Sequence, residues 1–197
     1  MKKKIAITGG IGSGKSTVLR MLQNAGYPCF SCDDIYNAII LDAEYIQKIQ
    51  AEFPSAVIEG KIDRQRLSDI VFFDPDRRKK LNSIAHGQIM QRLFECMDKC
   101  TQDLVFAEVP LLFEGNYQNR FDGVIVVMRD NEARMQSVCA RDNSGKDKVQ
   151  ARIAAQYDYS QIQNDAKRMQ VPLYLIQNNA TIEEIQVHLI NIVKHIS

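Results

Sequence analysis

The residues able to do chemistry start at Gly9. The run Gly9-Gly10-Ile11-Gly12-Ser13-Gly14-Lys15-Ser16 matches G-x-x-x-x-G-K-[ST] in full, the pattern of a phosphate-binding loop, or P-loop. Its residue types follow from the task. Glycines let the backbone wrap closely and aim N–H groups at phosphate oxygens. A helix that starts at the loop adds the positive end of its dipole. Lys15 reaches the β- and γ-phosphates, Ser16 offers its hydroxyl to Mg²⁺, and Thr17 adds a contact to the α-phosphate. Gly10, Ile11, Gly12, Ser13, Gly14, Lys15, Ser16 and Thr17 are therefore the expected nucleoside-triphosphate contacts. The loop does not say how the triphosphate is used. The Asn-Lys-x-Asp motif with which a GTPase reads its base is absent; the nearest late cluster is Gln177-Asn178-Asn179.

Phosphoryl transfer needs acids of two kinds: one near the metal, usually through water, and one that takes the proton of the attacking hydroxyl. Glu108 ends the apolar run LVFA and suits the first role; the rival reading is a strand-end acid paired with an arginine. Asp33 and Asp34 lie in CFSCDDIY (29–36), just after a short β-prone run. In a parallel sheet built around the P-loop strand, carboxyl ends of neighbouring strands open on one crevice. An acid there faces the γ-phosphate. The rival reading makes Asp33 only the N-cap of the next helix. Cys29 and Cys32 could pair with Cys96 and Cys100 around zinc, but the context lacks a tight knuckle. As a redox pair they would have Asp33 and Asp34 opposing the thiolate. Cys96 and Cys100 read as core thiols on a helix face.

These groups need a scaffold, and the apolar patterning supplies one. Short strands are expected at 4–8, 28–31, 103–114 (ended by Pro110), 122–128 and 173–177. Helices are expected from the P-loop to Gly26, over a largely helical 33–100 broken at Gly60 and Asp74-Pro75, and at 130–141 and 149–163. A last helix carries Ile182, Ile185, Leu189, Ile192 and Ile196 at helical spacing. Asp74 suits an N-cap with Pro75 at the first helical position. Near-continuous apolar strands separated by helices predict an α/β fold: a P-loop NTPase-type parallel sheet of about five strands with helices on both faces. The chain reads as one kinase domain over 1–197, with a helical acceptor subdomain at about 33–100 and a lid at about 141–152.

Composition agrees. The 197 residues are 45% hydrophobic and 25% charged, with a net charge of +1 and five cysteines. That balance gives no pull toward nucleic acid or a membrane. No apolar run approaches the roughly 20 residues of a membrane span, and the start, MKKKIAITGG, is too short for a signal-peptide core. An odd number of cysteines points to free thiols in a reducing cytoplasm. The basic run Arg77-Arg78-Lys79-Lys80 reads as a solvated helix face or as a patch that steers an anionic substrate.

The sequence resembles the dephospho-CoA kinase family almost end to end. ITGGIGSGKST (7–17) is similar to the family's P-loop. IDRQRLSDIVFFDPDRRKKLNSIAH (62–86) resembles its Asp-Arg…Val-Phe…Asp-Pro…His segment, PLLFE (110–114) its most distinctive pentapeptide, and Arg141-Asp142 its lid pair. Arg152 and Gln156 fall in a similar Arg-(x)₃-Gln pattern. The resemblance implies transfer of the ATP γ-phosphate to the ribose 3′-hydroxyl of dephospho-CoA, with Mg²⁺. It implies Asp33 as general base, ahead of Asp34 by register, and Lys15 and Arg141 as catalytic groups. It places Arg141 over the ATP phosphates and Asn178 near the adenine. Mg²⁺ would be held by Ser16 and, through water, by Glu108. The acceptor would meet Asp33, Arg64, His86 and Leu111. The sequence departs from the family at Ser31 and Cys32, where the family carries Asp and Ala, and at Gly87, Ser137, Pro172-Leu173 and Gln177. The alternatives are another small-acceptor P-loop kinase and a nucleotide-dependent binding module without transfer activity.

Overall fold

The computed structural model describes residues 2–196. The chain divides into two compact units: residues up to 30 together with those from 100 onward, and residues 31–99.

The first unit is built on a sheet of β1 (Lys3–Thr8), β2 (Cys29–Ser31), β5 (Leu104–Glu108), β6 (Gly123–Met128) and β7 (Leu173–Gln177), in the order β2-β5-β1-β6-β7. The strand pairs β1–β5, β1–β6 and β6–β7 are parallel. Parallel strands buried on both faces need no polar alternation. Ile5, Ile7, Phe106, Ile125, Val127 and Ile176 point to one face. They pack with Val18, Leu19 and Leu22 of α1 (Lys15–Asn24) and with Ile185, Leu189, Ile192, Val193 and Ile196 of α9 (Ile182–Ile196). Ala6, Val105, Ala107, Val124 and Val126, on the alternate register, are equally buried. This is the expected α/β sheet, and β1 at its centre leads straight into the P-loop.

Three helices of this unit differ from or refine the expectation. α6 (Asn131–Asp142) ends at Asn143, which is left-handed with φ 46°. α7 (Lys146–Ala154) is followed by irregular chain, a 3₁₀ turn at Tyr159–Gln161 and the short α8 (Ile162–Ala166), so the single helix expected at 149–163 is broken. The strand expected over 103–114 stops at Glu108, and residues 109–117 turn back instead.

The second unit holds α2 (Cys32–Ile39), α3 (Ala43–Glu52), α4 (Arg64–Phe72) and α5 (Pro75–Lys99). A small antiparallel hairpin, β3 (Val57–Ile58) and β4 (Lys61–Ile62), fills the break at Gly60. Asp74 caps α5, accepting from the Arg77 N–H at 2.9 Å. The buried stripe of α5 is Ala85, Met90, Leu93, Phe94 and Met97. Cys96 lies beside that stripe, half-buried on α5, and Cys100 is half-buried just beyond it, so neither is the fully buried core thiol expected.

Candidate active site

Within the first unit the P-loop bridges β1 and α1. Gly14 sits at the N-cap of α1 with φ 95°, and a Cβ there would lie 2.0 Å from Asn178 Nδ2. Only glycine meets both demands. Lys15 is buried, and its ammonium donates to Gly9 O at 2.9 Å and Gly10 O at 3.2 Å. The cation thus straps the start of its own loop. Ser16 donates its hydroxyl to Glu108 Oε1 at 3.3 Å, and Glu108 is only 7% exposed. The two expected metal-side residues therefore meet at the carboxyl end of β5. A hydroxyl and a carboxylate together form an all-oxygen donor set of the kind Mg²⁺ accepts.

Side chains from later in the chain hold the loop's outer surface. Asn178, in the turn after β7, donates to Ser13 O at 2.7 Å. Its amide is spent on the loop. Arg134 of α6 is 7% exposed, donates from Nε to Ile11 O at 3.0 Å and from NH1 to Asn131 Oδ1 at 3.0 Å, and has no carboxylate partner among the described residues. Burial pulls its guanidinium below its ordinary value. A buried cation without a counter-ion is costly, so a site that keeps one is arranged for an anion. Arg129 donates to Ser137 Oγ at 2.8 Å and reaches toward Gly12 O. Together with Gly10 and Ser13, Arg129 and Arg134 line a cleft of about 500 Å³ whose far wall is formed by residues 153–160. Ser13 Oγ, on that cleft, is buried without a hydrogen-bond partner among the described residues, as a hydroxyl reserved for a phosphate oxygen would be.

Arg141 lies exposed in the last turn of α6 and grips Asp142 through Nε at 2.7 Å and NH2 at 3.2 Å. Arg152 of α7 donates to the same carboxylate at 2.5 Å. The hydrogen bond from Arg141, then that from Arg152, pull the Asp142 carboxyl down to about 2. One acid thus ties α6 to α7 across the segment expected to form a lid.

The second unit carries the remaining expected residues, apart from Thr17 in the first turn of α1 and Leu111, which follows β5 half-buried. Asp33 is exposed in the first turn of α2 and is not its cap. Ser31 is the cap, accepting from the Asp33 N–H at 3.2 Å. The carboxylates of Asp33 and Asp34 stand in the helix's first turn. One turn on, Tyr36 and Asn37 share that face. Arg64, first residue of α4, donates to Asn37 Oδ1 at 3.0 Å and lies over the Tyr36 ring, 5.8 Å from its centroid. Its charge is oriented, and among the described residues no carboxylate pairs with it. His86 lies half-buried on α5. Cys32 is buried, and burial pushes the half-buried Cys29 thiol up to about 12, which keeps it protonated.

Comparison with known proteins fits this arrangement. The sequence profile of the dephospho-CoA kinase family matches residues 3–184. The chain belongs to that family. A dephospho-CoA kinase of Thermus thermophilus is 34% identical over 92% of this chain and 86% of its own length. The crystal structure of a Thermus thermophilus protein superposes with a TM-score of 0.81 at 32% identity, covering 100% of this chain and 98% of that one. A dephospho-CoA kinase from Campylobacter jejuni gives 0.67 at 27% identity, covering 100% and 98%.

Beyond the residues that carry the family's motifs, the structure brings Arg134, Arg129 and Tyr159 to the loop. No local pattern marks Arg129 or Tyr159. The signal for Arg134 is its place one turn before Ser137 on the same helix, where the family resemblance expects an arginine.

Proposed function

We propose that this chain transfers the γ-phosphate of ATP to the ribose 3′-hydroxyl of dephospho-CoA, yielding coenzyme A and ADP. The family match over residues 3–184 carries the choice of acceptor. The P-loop unit binds ATP: loop N–H groups, Lys15, Ser13 Oγ and Arg134 surround the phosphates, in a cleft that already holds uncompensated positive charge. In the reaction, the 3′-oxygen bonds to the γ-phosphorus as the bond from that phosphorus to the β–γ bridging oxygen breaks. Asp33 takes the hydroxyl proton, and ADP leaves with the bridging electrons. Ser16 and, through water, Glu108 would hold Mg²⁺, which would supply charge neutralisation to the phosphates. Arg141 closes on the phosphates by exchanging Asp142 for them. Asn178 borders the nucleotide beside the loop. Arg64 holds an acceptor phosphate, with His86 and Leu111 as further acceptor contacts. Catalysis is then mainly positioning and charge neutralisation. Five free thiols support a place in the cytoplasm, and among the described residues no helix is long and apolar enough to cross a membrane.

The test supplies ATP and Mg²⁺ with dephospho-CoA, AMP, uridine or a sugar acid and follows ADP release. Dephospho-CoA should be strongly preferred, with the new phosphate on the 3′ position by NMR. Preference for another acceptor overturns the proposal.

A further inference from the structure

Residues 156–159 leave helix α7 and do not form the helix their composition allows. Two of their side chains turn to the first residues of the P-loop. Gln156 Oε1 accepts the Ile11 N–H at 2.7 Å. Tyr159, 7% exposed, brings its hydroxyl to 3.3 Å from Thr8 Oγ1, with the Gly9 backbone N–H nearby. Thr8 is fully buried at the end of β1. The phenol has little freedom: its ring lies edge-on to Phe113 at 6.1 Å and to Tyr157 at 5.2 Å. Tyr157 is itself pinned, its N–H donating to Glu114 Oε1 at 2.8 Å and its hydroxyl to Asp165. Burial pushes the Tyr159 hydroxyl up to about 12, so it stays a neutral phenol, able to donate and accept at once.

Gly9 is where the chain leaves the sheet and begins to aim its N–H groups. An error in direction there is carried into every later group of the loop. A hydroxyl fixed by packed aromatics at that junction sets the direction of the loop. We propose that Tyr159 is a positioning residue for phosphoryl transfer: it orients the Thr8–Gly9 junction, with Gln156 fixing Ile11 two residues on. The proposal rests on the kinase reading above.

The experiment uses Tyr159→Phe, which keeps the ring and deletes the hydroxyl, with Thr8→Val and the double variant, each assayed well below its melting temperature. A misdirected loop still binds phosphate but holds it poorly for transfer. Tyr159→Phe should lower kcat about tenfold while KM for ATP stays within about threefold. Thr8→Val should lower kcat less, and the double variant should be no slower than Tyr159→Phe, because both delete one contact. Unchanged kcat in Tyr159→Phe, or effects of the two single variants that multiply in the double, overturns the proposal. If the parent protein itself does not phosphorylate dephospho-CoA, the kinase reading fails instead, and turnover of the same variants with the acceptor the parent does use, or as its basal ATP hydrolysis, then decides the positioning role: a fall in kcat shared by the single and double variants keeps it, and none removes it.

Discussion

At the scale of single residues, the site separates charge that is spent from charge that is held ready. Lys15 is spent on loop carbonyls, whereas Arg134 is buried and, among the described residues, hydrogen-bonds only to a backbone oxygen and an asparagine. Arg134→Met removes a desolvated cation and keeps most of the packing, so the thermal midpoint should move little. ATP affinity should fall about 10–100-fold, the worth of one or two charged hydrogen bonds. Calorimetry that finds ATP binding intact would reduce Arg134 to a strut for Ile11. Asp33 makes the opposite test. Since Ser31 provides the cap, Asp33→Asn should leave α2 and ATP binding unaltered while turnover drops roughly 10²–10⁴-fold. Near-parental turnover would shift the base role to Asp34. The P-loop was legible in the sequence because its signal is local. Arg134, Gln156 and Tyr159 reach it across 123, 145 and 151 residues, and no spacing rule reports contacts of that span.

At the scale of elements, small polar devices decide where helices begin and how they are joined. Ser31→Ala should cost about 1 kcal/mol, the usual worth of an N-cap, and Ser31→Asp should restore it, as chemical denaturation would show. Equal stability of all three would mean α2 needs no cap. The α6–α7 junction depends on Asp142. Its carboxyl is pulled down from 3.8 to about 2 in the folded protein, so the unfolded chain takes up the proton first as pH falls. The stabilisation is complete above about pH 4 and disappears as pH drops through about 2. The melting temperatures of the parent and Asp142→Asn should therefore differ at pH 6 and converge near pH 2; a gap independent of pH would deny the ion triad. These elements also show why some expectations failed. A helix over 149–163 satisfied every propensity, yet Gln156 and Tyr159 are bound to the loop, and tertiary contacts override propensity. The β3–β4 hairpin has two residues per strand, too few for any periodicity to register. The turn at Glu59-Gly60, with φ 49° and 73°, is its only trace.

At the scale of the molecule, the two units carry different chemistry. The P-loop unit has the cleft, Ser13 and the buried arginine; the helical unit has Asp33 and the oriented Arg64. Hydrogen exchange should show ATP protecting residues 9–17 and the 153–160 wall, and dephospho-CoA protecting parts of 31–99. Protection of the P-loop by dephospho-CoA alone would refute that division. The loop itself begins at residue 9, but its walls are Arg134, Gln156, Tyr159 and Asn178. A ribosome adds about 5–20 residues per second, so on the order of ten seconds separate the synthesis of Gly9 from that of Asn178. The nascent chain therefore carries its nucleotide-binding signature well before it holds the residues that complete the phosphate cradle, and the loop must wait for Arg134, Gln156, Tyr159 and Asn178 to be made.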